Sequence, residues 1–155
     1  MNYEFTDFEK DILKKAKRYN KKILFDEPDY RVIEAVRYLV KEKIIKVVLL
    51  GNKDKYLEVA KEHNLILKEN EYLTFYNMNY ELKEKFVQEY FEIRKDKGIT
   101  INDARKILSD SMYYACFLLK HDFIDGIVSG TIHPTRRTLK PAFEIIGTKE
   151  NVKKA

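Results

Sequence analysis

A chain of 155 residues is long enough for one hydrophobic core and short for two domains. Hydrophobic residues at 45% exclude a disordered chain, and no apolar run approaches the ~18 residues of a membrane span. The net charge of +5 comes from 30 basic and 25 acidic side chains. Lysines alternate with glutamates, as in Lys41-Glu42-Lys43 and Lys83-Glu84-Lys85, which is the pattern of solvated helix faces and argues against nucleic acid and membrane as partners.

The start MNYEFTDFEKD is acidic and aromatic, unlike a secretory leader. The single cysteine, Cys116, excludes an internal disulfide framework and suits a reducing compartment, so a cytoplasmic location is expected. Thr6 and Glu9 form a capping-box pattern, and Phe5, Phe8, Ile12, Ala16 and Tyr19 follow at helical spacing, predicting a helix over 6–19. Ile23-Leu24-Phe25 is a short buried strand. Asp29 caps the next helix, with Val32, Ala35, Val36, Leu39 and Val40 as its inner face. Lys46 to Leu50 is the clearest strand, closed by Gly51-Asn52.

A helix is predicted over 53–63 and a strand over 72–76. A longer helix covers about 80–95 with Leu82, Phe86, Tyr90 and Ile93 inward, and Gly98 breaks it. Thr100 opens a short helix, and Ser109 or Ser111 caps another that carries Tyr113, Cys116, Phe117 and Leu119. Cys116 is expected to be an inert core thiol. Gly126 to Val128 is the last strand, and a helix follows with Pro134 in its first turn. Strands alternating with helices give a single α/β domain over 1–155, a parallel sheet flanked by helices. In such sheets ligands sit beyond the carboxyl ends of the strands.

The segment DGIVSGTIHPTRRTLKPA (125–142) lies at that edge. Ser129-Gly130 lets backbone approach a ligand, and the helix start after Pro134 favours an anion. Ser129, Thr135 and Thr138 supply hydroxyls; Arg136, Arg137 and Lys140 supply charge, although the adjacent arginines cannot point the same way. On residue chemistry alone, an anion-binding loop and a structural strand-to-helix turn are even alternatives. His63 and His121 have no partner at metal-ligand spacing, so no metal site is expected. Ser129 with His133 lacks the Gly-x-Ser-x-Gly elbow of a hydrolase.

The frame Ser129-Gly130-x-x-His133, then Thr138-Leu139-Lys140-Pro141-Ala142, resembles the phosphate acetyltransferase and phosphate butyryltransferase family. ILFDEPDYRVIEAV, VVLLGN and EIRKDKGITINDARKILSD resemble three further family stretches in the same order. The resemblance implies the N-terminal domain of a two-domain phosphate acyltransferase, similar in fold to isocitrate and isopropylmalate dehydrogenases. It also implies acetyl transfer between coenzyme A and phosphate, giving acetyl phosphate, with coenzyme A as a substrate and no prosthetic group. Arg94, Ser129, His133, Thr138 and Lys140 fall on substrate-binding positions. Without the resemblance, Arg94 is a helix-end cation and His133 a capping or backbone-bonding residue.

Four features depart from the family pattern. Lys140 replaces an arginine, Pro134 a hydroxyl residue, Arg136-Arg137 a smaller pair and Asp26-Glu27 a Glu-Gly. The family's serine–arginine–aspartate catalytic cluster and its second domain have no counterpart here, so no catalytic residue is assigned and the isolated chain is expected to be inactive and poorly soluble. Possible partners are a C-terminal half or a second copy in a homodimer. The alternative is a non-catalytic module, descended from that family, that binds coenzyme A or phosphate or assembles with a partner.

Overall fold

The computed structural model describes residues 4–149. Helix α1 (Asp7–Tyr19) starts at the predicted capping box, with Thr6 Oγ1 accepting from the Glu9 amide and Glu9 reaching back to the Thr6 amide. It ends at Asn20 in the left-handed conformation (φ 45°). None of its residues is buried, and Phe8 (74% exposed), Ile12 and Tyr19 face outward. Phe5, just before the helix, reaches across to the Tyr38 ring at 5.7 Å. The apolar spacing set the helix but not a partner for that stripe.

Four strands follow: β1 (Lys22–Phe25), β2 (Lys46–Leu50), β3 (Leu73–Tyr76) and β4 (Gly126–Val128). All neighbours are parallel, in the order β3-β2-β1-β4. Alternation along the strands divides the core into two layers. Leu24, Val48 and Leu50 turn to one face, against α4 (Tyr80–Arg94) and α6 (Ser111–Lys120). Phe25, Val47, Leu49 and Leu73 turn to the other, against α2 (Tyr30–Lys41) and α3 (Lys53–Glu62). Each such side chain, fully buried, contributes about 1.5–3 kcal/mol. The Tyr56 hydroxyl, in the first half of α3, donates to the carbonyls of Leu50 (3.0 Å) and Phe25 (3.3 Å) and so ties α3 to the ends of β2 and β1.

The helices correct four expectations. On α2 the fully buried Ile33, not the exposed Ala35, joins Val32 and Val36 on the inner face. On α4 Ile93 turns outward; Arg94, four residues beyond the buried Tyr90, takes the inward slot. The cap of α6 is Asp110, which accepts from the Met112 amide at 2.8 Å. That leaves Ser111 Oγ to donate to Asp26, while Ser109 Oγ donates to the Arg105 carbonyl. Pro134 is the N-cap of α7 (Thr135–Pro141) rather than a residue of its first turn. Helix α5 (Ile101–Ile107) opens at the Thr100–Asp103 capping box, just after Gly98 closes the preceding turn at φ 78°.

From β1 the chain crosses to β2 on one side, whereas β4 docks on the other side of β1. This is the switch point of an open α/β sheet, where a crevice forms between the diverging connections. It brings Asp26 and Glu27, after β1, beside the loop that follows β4.

Candidate substrate-binding site

The loop after β4 does hold an anion, and the anion is internal. Glu27, 1% exposed, accepts four backbone hydrogen bonds. One carboxylate oxygen takes the amides of Gly130 (3.0 Å) and Thr131 (2.7 Å); the other takes those of Ile132 (3.2 Å) and His133 (3.1 Å). Burial pushes the Glu27 carboxyl up, but these four donors outweigh it and hold the group below its ordinary range. Gly130 makes the wrap possible with φ 110°, a conformation that L side chains rarely adopt. Arg31, paired with Asp29 at 2.9 Å, donates to the Thr131 carbonyl at 3.3 Å and fastens the loop to the start of α2.

Beside this loop, Asp26 (6% exposed) accepts from Ser111 Oγ at 2.9 Å and lies 3.6 Å from Arg137 Nη1. Arg137 also donates to Asp110 (3.0 Å) and Ser111 (3.1 Å), locking α7 onto the head of α6. Arg137 is therefore committed to the fold. Arg136 and Lys140, four residues apart on α7, are exposed and make no ion pair among the described residues. With Tyr113, Pro134, Arg137 and Pro141 they line an open cavity of about 340 Å³.

Ser129 Oγ and Thr138 Oγ1 are both buried without a hydrogen-bond partner among the described residues. Thr138 Oγ1 lies 3.9 Å from where a Cβ on Gly130 would stand, which puts it against the loop. His133 is half-buried and enters the network through its backbone amide. Arg94 does not line this cavity. Its Nη2 donates to Glu144 at 3.0 Å, and Glu144 also accepts from the hydroxyls of Tyr90 (2.8 Å) and Tyr113 (3.0 Å). Tyr113 therefore joins Arg94 and Lys140 to one place: its hydroxyl meets Glu144 and its side chain lines the cavity.

The Ser129-Gly130 turn, read from the sequence as letting backbone approach a ligand, instead turns the four amides of residues 130–133 onto Glu27. Asp26, Glu27, Tyr90, Tyr113 and Glu144 were not singled out as site residues. Only the first two carried a signal, as two acids directly closing an apolar strand. Another cavity, of about 480 Å³, lies elsewhere, between Arg37, Tyr38 and Lys41 of α2 and Ile66, Leu67, Lys68 and Asn70, and holds none of the candidate site residues.

Residues 7–155 match the family model described as phosphate acetyl/butaryl transferase. The chain belongs to this family. It is 36% identical over 143 residues to the phosphate acetyltransferase of Thermoanaerobacterium thermosaccharolyticum, covering 92% of this chain and 42% of that protein. It is 41% identical over 135 residues to that of Bacillus subtilis, covering 86% and 41%. A phosphotransacetylase from Streptococcus pyogenes superimposes with a TM-score of 0.83 at 30% identity, over 98% of this chain and 46% of that one. The chain thus spans less than half the length of these phosphate acetyltransferases. The parallel four-stranded sheet between helical layers is the expected fold class of the family.

Proposed function

We propose that this chain supplies one wall of a phosphate acetyltransferase cleft, for the reaction of acetyl-CoA with phosphate to give acetyl phosphate and coenzyme A. The observation that carries this reading is the pairing of two buried, unpartnered hydroxyls, Ser129 and Thr138, with the two free cations of α7. Buried hydroxyls without partners are unfavourable in a finished fold and are met by a ligand with oxygen acceptors. Lys140 and Arg136 would draw the phosphate to the cavity mouth, and Arg94 would hold it from behind. In the acetyl phosphate to acetyl-CoA direction the coenzyme A thiolate attacks the acetyl carbon, the carbon–oxygen bond to phosphate breaks, and phosphate leaves with the electron pair. The wall formed here binds and orients; the group that takes the thiol proton is assigned to the remainder of the cleft, outside this chain.

The test is acetyl phosphate formation from acetyl-CoA and phosphate, by the chain alone and mixed with the complementary portion of a relative. Turnover in the mixture that is abolished by Lys140→Ala with Arg94→Ala supports the reading. Turnover indifferent to both substitutions defeats it. A second reading, a module that binds coenzyme A or phosphate or assembles without catalysis, is favoured by the capture of four loop amides by Glu27 and by Lys140, which has no planar fork. Binding of coenzyme A or phosphate with no turnover in any mixture selects it.

A further inference from the structure

We infer that Glu144 is a positioning residue that sets the orientation of Arg94 for anion binding. The inference deepens the proposed function and rests on it for the identity of the anion, but its structural half stands alone. Three elements meet at this carboxylate. Helix α4 brings Tyr90 and Arg94, one turn apart; α6 brings Tyr113; and the π-helical turn Ala142–Ile146 after α7 brings Glu144. Short π segments recur at functional sites because they re-aim a side chain out of helical register.

The carboxylate divides its work. Oε2 accepts from both tyrosine hydroxyls, at 2.8 and 3.0 Å, and Oε1 accepts from Arg94 Nη2 at 3.0 Å. The two hydroxyls share Oε2, which leaves Oε1 to hold the guanidinium. Burial, together with the bond to Glu144 and its charge, pushes the Tyr90 hydroxyl up to about 12, so it stays a proton donor through the neutral range.

Arg94 is not satisfied by this contact. Its Nε is buried without a partner, and it donates to Glu144 through one nitrogen only. Arginine–carboxylate pairs are frequently bidentate, with two parallel N–H···O bonds. Here the pairing is single, the side chain is 25% exposed, and Nη1 makes no hydrogen bond among the described residues. Arg94 is thus held by one corner with donor capacity left over. Tyr113, which shares Glu144 with Arg94, also lines the cavity that Lys140 lines.

The experiment uses the chain labelled with ¹⁵N-arginine, Arg94→Lys identifying the Arg94 signals. In the native protein the Arg94 Nη groups should be resolved, with slowed rotation and exchange. Glu144→Gln keeps the volume and removes the charge, so rotation should quicken and affinity for inorganic phosphate should fall about tenfold, the size expected for one charged hydrogen bond. Tyr90→Phe takes one donor from Oε2 and leaves the Arg94 contact, so its Arg94 signals should stay slow; it serves as the control for loosened packing. Should Glu144→Gln not fold, Glu144→Asp, which withdraws the carboxylate along the same line, takes its place. Arg94 signals in the Glu144 variant that match the native protein overturn the inference, as does equal loosening in Tyr90→Phe. Absence of phosphate binding in the native chain counts against the proposed function instead, because the guanidinium signals need no ligand.

Discussion

Replacing Glu27 by glutamine tests whether the loop after β4 is built around a carboxylate. The four amide contacts fall two on each carboxylate oxygen. Glutamine keeps one oxygen, and therefore two acceptor contacts, and sets its NH₂ against the other two amides. Hydrogen bonds to a charged group contribute about 1.5–3 kcal/mol each, so two lost bonds correspond to about 3–6 kcal/mol. Gly130 and Ile132 are exposed residues, and water will recover part of that. The expected loss is about 2–4 kcal/mol, which for a domain of this size lowers Tm by roughly 4–16 °C. Urea unfolding followed by circular dichroism measures it. The pH dependence has a definite sign. The folded-state pKa of Glu27 lies below its unfolded value near 4.5, so its contribution is present above that pH and is lost as pH falls through the depressed folded value. Stability of the native chain should therefore fall more steeply than that of the variant below about pH 4.5. A variant within about 0.5 kcal/mol of native stability, or with an identical acid profile, would refute the carboxylate-centred loop.

Three further outcomes are expected. Arg137→Met removes the cation facing the buried Asp26 and should cost about 3 kcal/mol; adding Asp26→Asn should recover part of it, so that the two losses measured by urea unfolding are not additive. Cys116 is fully buried, and burial followed by the charges of Asp26 and Asp110 pushes its thiol up to about 12, so it should resist iodoacetamide at pH 8 until the chain is unfolded, as read by mass spectrometry. Thr138→Val and Ser129→Ala remove hydroxyls that have no partner, so stability should stay within about 1 kcal/mol of native or rise while affinity for phosphate or coenzyme A falls; a matching loss of stability, or unchanged affinity, contradicts their assignment to a ligand.

Much of the fold was legible because its signals are local. The strands of a parallel sheet covered on both faces read as short apolar runs, and each was found within a residue or two. Capping boxes at Thr6 and Thr100 placed two helix starts, because both partners lie within one turn. Errors arose where several candidates shared a local signal. Three polar residues in a row, Ser109, Asp110 and Ser111, all suit a cap, and the choice fell to Asp110 because Ser111 is needed by Asp26 from 85 residues away. Ile93 and Arg94 both continue the inner stripe of α4. Hydrophobicity favours the isoleucine, but a carboxylate 50 residues further on gives the arginine a partner inside.

The loop itself shows the limit most clearly. Its glycine and its position after a strand left an anion-binding loop and a structural turn as even alternatives, and the structure shows four loop amides gathered on an anion. The identity of the anion depends on what the switch point brings alongside, and that is Glu27, 103 residues earlier than Gly130. Under the proposed function, the amides of residues 130–133 are closed to an external phosphate, and side chains take their place. The groups left for it among the described residues are the two unpartnered hydroxyls, Arg136 and Lys140 of α7 and the unused nitrogens of Arg94. Recognition by side chains is more sensitive to substitution than recognition by backbone amides, because a single residue change removes the donor. Under the proposed function, that makes Lys140, which stands in place of a forked guanidinium, a residue where affinity should respond to substitution: Lys140→Arg should tighten phosphate binding if it holds the anion, and leave it unchanged if it does not.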